Sequence, residues 1–140
     1  MDEEEVEMVV TKRNSTFKFA DDVEYTDLAE VFPELFRLFM EVADQYPEES
    51  GEEYIEMLIR LNLRDMERNK KPMGHNREAR YRMIFPIDRE GVQFFIYPRI
   101  AEEESEIDMV TDEISDFLTE KGLEHEVIWD ELEFLMEEKD

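Results

Sequence analysis

The stretch Ala79-Arg-Tyr-Arg-Met-Ile-Phe-Pro-Ile87, continued by Asp88-Arg-Glu-Gly91 and Val92-Gln-Phe-Phe-Ile-Tyr97, decides the fold class. Its first part places arginine and apolar side chains in alternation, which is the two-residue period of a β-strand. The quartet that ends in Gly91 is typical of a turn, and the apolar run after it is typical of a return strand. The sequence therefore predicts an antiparallel hairpin over residues 79–97, with its turn at residues 88–91.

A second hairpin is predicted near the N-terminus. Residues 6–13 are rich in β-branched side chains, and Thr16-Phe-Lys-Phe19 alternates between polar and apolar side chains. Asn14-Ser15 lies between them and is a turn signal. We therefore expect residues 6–13 and 16–19 to pair with each other.

Three segments carry apolar residues at the spacing of an amphipathic helix. The first begins at Thr26 or Asp27, or else near Phe32, because Pro33 fits the first turn of a helix. The second begins after Ser50 and the third opens at Ala101. We expect these helices to share one core, made of Phe32, Leu35, Phe36, Phe39, Leu58, Ile59, Phe117 and Leu118.

Residues 123–129 are typical of a strand, and the segment between Glu131 and Glu138 fits either a closing strand or a short helix. Hairpins with helices between them favour an α+β fold. We predict one domain over residues 1–140, with a largely antiparallel sheet of hairpins packed against about three helices.

The composition excludes several classes of protein. The chain has 140 residues, no cysteine and a formal net charge of -24. Disulfide scaffolds and thiol or zinc-ribbon chemistry are therefore excluded. No apolar run reaches the roughly 18 residues of a membrane span. The acidic start is the reverse of a cationic signal peptide, so we expect a cytoplasmic protein, in the host cytoplasm if it is phage-encoded.

The charges are unevenly distributed. Residues 1–58 have 18 acids and 4 bases, residues 59–99 have 5 acids and 10 bases, and residues 100–140 have 17 acids and 2 bases. A basic middle thus lies between two acidic ends. Either the ends fold against the middle and neutralise it, or the protein presents two surfaces of opposite sign.

No catalytic, cofactor or metal motif is recognisable in the chain. The four glycines are scattered, which excludes phosphate-binding glycine loops. His75 and His125 are interpreted as structural histidines at the surface or partly buried. Asp108, Asp112 and Asp116 share a helix face, but without a folded loop they indicate metal binding only weakly. We predict no catalytic residue, no cofactor and no metal.

The predicted partner-binding site is an acidic surface near the C-terminus. One carboxylate per turn, about 6 Å apart, would resemble the phosphate array of a nucleic acid. The candidate residues are Glu102, Glu103, Glu104, Asp108, Asp112, Asp116 and Glu120. We expect a non-enzymatic protein that docks on a basic protein, a polymerase or nuclease, and inhibits or regulates it as a DNA mimic or phage-type host-takeover protein.

The alternative is a small regulator that binds nucleic acid through its basic middle. Tyr81, Phe94, Phe95 and Tyr97 would offer stacking faces to bases if they were exposed. The basic side chains concerned are Arg60, Arg64, Arg68, Lys70, Lys71, Arg77, Arg80 and Arg82. The net charge argues against direct nucleic-acid binding at physiological salt. An enzyme with an unrecognised carboxylate site is a third hypothesis.

Overall fold

The computed structural model describes residues 10–43, 51–75, 80–86 and 90–132. It contains three helices, α1 (Tyr25–Val42), α2 (Gly51–Met66) and α3 (Glu104–Glu120). The strands are β1 (Val10–Thr11), β2 (Ser15–Phe19), β3 (Tyr81–Ile84), β4 (Gln93–Pro98), β5 (Glu102–Glu103) and β6 (His125–Trp129).

The main sheet has four strands in the order β3-β4-β2-β6, and every neighbouring pair is antiparallel. β1 and β5 form a separate two-stranded ribbon. Helices α2 and α3 both pack against α1. The α+β prediction with a largely antiparallel sheet is therefore confirmed.

The core lies between the three helices and one face of the main sheet. Phe17 of β2 lies opposite Phe94 of β4, with ring centroids 4.9 Å apart. Aromatic side chains from α1 complete the same cluster, and seven of the eight predicted core residues are buried in it. Phe117 is the exception, because it is only partly buried at the edge of that cluster.

The hairpin predicted over residues 79–97 is confirmed in its strands. β3 pairs with β4 in a register that places Met83 opposite Ile96. Residues 88 and 89, the first half of the predicted turn, lie outside the described residues. The predicted strand at residues 123–129 is also confirmed as β6, whereas residues 133–138 lie outside the described part of the chain.

The predicted N-terminal hairpin is wrong for the residues that the structure describes. β1 pairs with Glu102–Glu103, and both edges of β2 are occupied by β4 and β6. Asn14 is fully buried, and its side-chain oxygen accepts from the main-chain N–H of Leu132 at 3.0 Å. Asn14 therefore does not form a hairpin turn. It connects the segment before β2 to Leu132, at the end of the described residues.

Two helix boundaries differ from the prediction. α1 begins at Tyr25 and continues through Pro33, with a capping box formed by Glu24 and Asp27. The start near Phe32 is therefore wrong, because the earlier cap and the apolar face outweigh the hydrogen bond that proline cannot make. α3 begins at Glu104 rather than Ala101, because Glu102–Glu103 pairs with β1.

Candidate partner-binding surface

The predicted acidic site is divided by the fold into paired and unpaired carboxylates. Glu102 and Glu103 lie on β5, and the other five residues lie on α3. The β5 strand leads directly into α3. The cations that contact these seven residues decide which carboxylates remain available to a partner.

Arg13 neutralises the N-terminal part of α3. Its Nη1 lies 2.8 Å from Oδ1 of Asp108 and 3.6 Å from Oε2 of Glu104. The guanidinium also lies over the ring of Trp129, 3.9 Å from the ring centroid. Asp108 and Glu104 therefore already have an intramolecular partner, although each side chain is 45% exposed, and Trp129 is half-buried beneath Arg13.

Arg80 engages the residues at the start of the site. Its guanidinium pairs with Glu102 at 3.1 Å and with Glu106, and it donates to the carbonyl oxygen of Ala43 at 3.1 Å. These hydrogen bonds to Glu106 and Glu102 raise the pKa of Arg80 above its ordinary value. Arg80 was predicted as part of a basic binding stripe, but it is a bridge between β3, α1 and α3.

The Arg80 cluster includes a buried phenol. Tyr81 is fully buried, and its hydroxyl donates to Oε1 of Glu106 at 3.1 Å. Burial, and then the charge of Glu106, raise the pKa of Tyr81 well above its ordinary value. A phenol that keeps its proton is a structural hydrogen-bond donor, so this cluster fixes α3 against the sheet.

The C-terminal half of α3 is different. Asp112, Asp116 and Glu120 are exposed, and in the described part of the chain no Lys or Arg nitrogen lies within ion-pair distance of them. Lys121 follows the helix, but its Nζ lies 3.1 Å from Oε1 of Glu34 on α1. Three successive turns of α3 therefore present an unpaired carboxylate to solvent.

A surface groove of about 480 Å³ runs beside these carboxylates. Half-buried Leu38 of α1 and Phe117 of α3 give it an apolar part, and Glu113, Asp116 and Glu120 give it an acidic rim. Lys and Arg side chains combine an aliphatic stem with a charged end. The groove could therefore contact the stem of such a side chain with its apolar part and the charged end with its acidic rim. The groove was not predicted, since it depends on how α1 packs against α3.

The two histidines have structural contacts. His75, predicted at the surface or partly buried, is in fact buried, with its ring edge-on to Phe36 and Phe39. His125 is half-buried, and its Nδ1 lies 2.8 Å from the carbonyl oxygen of Leu123. Within the described ranges, no three His, Asp or Glu side chains come together in a way that could hold a metal ion.

Ser115 and His125 have the separation of a nucleophile and its base. Ser115 Oγ lies 2.8 Å from Nε2 of His125, and the Leu123 carbonyl selects the tautomer in which Nε2 accepts. The pair lies near the C-terminal end of α3, where the amides of Gly122 and Leu123 already donate to helix carbonyls. Those amides cannot stabilise an oxyanion, so the geometry does not favour acyl transfer.

The fold places the basic side chains considered for nucleic-acid binding on different elements. Arg60 and Arg64 are exposed on α2, Arg68 is exposed in the turn after it, and Arg82 is half-buried on β3. Arg77 lies outside the described residues. Of the four aromatic side chains considered for base stacking, Tyr81, Phe94 and Phe95 are buried, and only Tyr97 is partly accessible.

None of the helices in the described ranges combines the length and apolar character that crossing a membrane requires. Comparison of the chain with models of protein families, with curated proteins and with solved structures finds no match. The inference of function therefore depends on the surfaces described above.

Proposed function

We propose that this chain is a non-enzymatic acidic binding protein that docks on the basic surface of a polymerase or nuclease and inhibits or regulates it. The supporting observation is the row formed by Asp112, Asp116 and Glu120, because in the described part of the chain no Lys or Arg nitrogen lies within ion-pair distance of these three carboxylates. Steering by the net charge of -24 accelerates encounter with a basic partner. The host-takeover form of the proposal adds a phage origin and action in the host cytoplasm.

The unpaired row and the groove beside it have separate roles in this proposal. Exposed ion pairs are each worth only about 0.2–1 kcal/mol, so the carboxylates contribute mainly to the association rate and to orientation. Leu38 and Phe117 supply the apolar contact that slows dissociation. The partner surface is therefore basic with aliphatic side chains, as in a channel that binds the backbone of DNA.

The experiment compares two triple charge reversals. Asp112→Lys/Asp116→Lys/Glu120→Lys alters the row, and Asp21→Lys/Asp22→Lys/Glu126→Lys alters three exposed acids elsewhere. Both variants change the net charge equally. Purified polymerases and nucleases are assayed with each protein over a range of duplex DNA concentrations, and association rates are measured by surface plasmon resonance.

We expect wild type to inhibit at least one enzyme in competition with DNA. The row variant should lose about tenfold or more in association rate, and the control variant much less. Equal losses would show that only the overall charge matters. Inhibition that is unaffected by DNA concentration would contradict the mimic mechanism.

The second candidate is a regulator that binds nucleic acid through Arg60, Arg64 and Arg68. Their exposure favours it, whereas the burial of three of the four aromatic side chains removes most of the stacking surface. Retention on heparin compared with retention on an anion exchanger distinguishes the two candidates. Retention on heparin at physiological salt, lost on reversal of these arginines, would favour the regulator.

A further inference from the structure

The solvent-facing side of α2 has exposed apolar side chains next to arginines. Met57 and Leu61 are 37% and 43% exposed, one helical turn apart. Arg60 and Arg64 of α2 are exposed, and so is Arg68, four residues further on in the turn after the helix. We call these five residues the α2 surface.

The arginines of the α2 surface are not used internally. Among the described residues, no carboxylate lies within ion-pair distance of Arg60, Arg64 or Arg68, and Glu56, one turn before Arg60, does not pair with it. Arg13, Arg37 and Arg80 by contrast each hold at least one carboxylate. In a chain with 40 acidic residues, three neighbouring arginines that have no carboxylate partner among the described residues form a distinct basic surface.

The α2 surface is not explained by packing. The opposite side of α2 buries Ile55, Leu58, Ile59 and Met66 and already supplies the contacts that hold the helix to the core. A groove of about 470 Å³ lies at the N-terminal end of the surface, and because Glu53 and Glu56 line it together with Tyr54, Met57 and Arg60, it is not part of the basic surface. Exposed apolar side chains with arginines beside them are the composition of a protein interface rather than of a solvated face.

We propose that the α2 surface binds an acidic amphipathic helix of a partner protein, with carboxylates at four-residue intervals and an apolar side chain between them. The spacing supports a helix, because residues four apart lie about 6 Å apart along one face. α3 of this chain is an example of such a helix, since its Asp112, Asp116 and Glu120 place carboxylates at four-residue intervals. The apolar side chain would lie against Met57 and Leu61.

The net charge decides against two other occupants. A second copy would bring another -24, and a nucleic acid carries one negative charge per phosphate, so both are repelled before contact. A short acidic helix on a partner of modest net charge is repelled less strongly. Charges more than about 8 Å away are largely screened at physiological salt, so near the α2 surface the arginines dominate the interaction. This surface is independent of the acidic row on α3.

The probe is a labelled alanine-based helical peptide with three glutamates at four-residue intervals and leucines between them. A peptide of identical composition with its glutamates grouped at one end is the control ligand. Binding to the full chain is measured by fluorescence anisotropy at several salt concentrations. The variant Arg60→Glu/Arg64→Glu is matched by Lys18→Glu/Lys121→Glu, which changes the net charge equally away from α2.

We expect the patterned peptide to bind more tightly than its control, and binding to weaken about tenfold in Arg60→Glu/Arg64→Glu but little in the matched variant. Met57→Ser/Leu61→Ser should also weaken binding, whereas substitution of Met73, which is 73% exposed, should not. Asp112→Lys/Asp116→Lys/Glu120→Lys should not weaken binding, which separates this surface from the proposed function.

Three outcomes would overturn the proposal. Equal binding of the two peptides, or none, would show that no patterned helix is recognised. Concentration-dependent dimerisation of the unlabelled protein, lost in Arg60→Glu/Arg64→Glu, would make a second copy the occupant. Displacement of the peptide by single-stranded DNA at physiological salt would make nucleic acid the occupant.

Discussion

Asn62 and Gly74 are joined by two hydrogen bonds between a buried side chain and a loop. The N–H of Gly74 donates to Oδ1 of Asn62 at 2.6 Å, and Nδ2 of Asn62 reaches the carbonyl oxygen of Gly74 at 3.4 Å. Nδ2 also donates to the carbonyl oxygen of Leu58. One amide thereby holds the segment after α2 against its own helix.

Asn62→Ala should destabilise the protein by about 1–3 kcal/mol, because it leaves buried main-chain groups of Gly74 without partners. Chemical denaturation followed by circular dichroism measures the change. Leu61→Ala, at the next and exposed position of the same helix, is the control and should cost little. Alanine favours a helix at both positions, so similar losses in both variants would contradict a specific role for the hydrogen bonds between Asn62 and Gly74.

Gly74→Ala tests how closely the loop approaches β3. A Cβ at Gly74 would lie 2.1 Å from the carbonyl oxygen of Met83, and the backbone there has φ of 78°. Gly122, the residue after the C-cap of α3, has φ of 81° but open space around it. We expect Gly122→Ala to cost about 1 kcal/mol from backbone strain alone, and Gly74→Ala to cost clearly more in urea unfolding. Equal costs would contradict the close approach.

The raised pKa of Tyr81 predicts that the protein loses stability at alkaline pH. Its pKa is raised in the folded state, so above about pH 10 the unfolded chain releases the phenolic proton while the folded protein retains it. The free energy of unfolding should therefore fall by as much as about 1.4 kcal/mol per pH unit for this one group.

The measurement for Tyr81 is urea unfolding of wild type and Tyr81→Phe between pH 9 and pH 11. The variant loses the hydrogen bond to Glu106, so it should be less stable at pH 9. The difference between the two proteins should narrow as the pH rises. Parallel pH profiles would show that Tyr81 ionises equally in both states.

The contact between Arg13 and Trp129 can be followed by fluorescence, because Trp129 is the single tryptophan of the chain. Arg13→Ala removes the cation over the indole ring and the partner of Asp108, so we expect a shift in the tryptophan emission maximum and a loss of about 1–2 kcal/mol. Arg13→Lys should recover only part of the stability, since an ammonium lacks the planar fork of a guanidinium. Full recovery by lysine would contradict a stacking role.

The sequence was sufficient where local pattern and fold agree. Alternation predicted β3 and β4, and helical spacing predicted the buried faces of α1, α2 and α3, because each pattern is set by which side of an element is buried. Gly122 follows the C-cap residue of α3 with φ of 81°, which is the position where glycine commonly ends a helix.

The errors occurred where a distant residue decides the local structure. The pair Asn14-Ser15 has the composition of a turn. However, Asn14 is buried and accepts a hydrogen bond from Leu132, and the hydroxyl of Ser15 is hydrogen-bonded to that of Thr111 on α3. Arg80 was assigned to a binding stripe because nothing in a local window shows that Glu102 and Glu106 surround it. Of the candidate acidic site, the sequence indicated the helical row on α3 but not which carboxylates Arg13 neutralises.

The position of β2 in the sheet has a consequence for folding. β2 lies near the start of the chain, but its two neighbours come from much later, so Ser15 is opposite both Ile96 and Trp129. On a ribosome, Phe17 and Phe19 must wait for most of the chain to be synthesised before either edge of β2 can pair. Such high contact order slows folding and prolongs exposure of an aggregation-prone strand. The first 58 residues carry 18 acids and 4 bases, so their net negative charge keeps nascent copies apart during the delay.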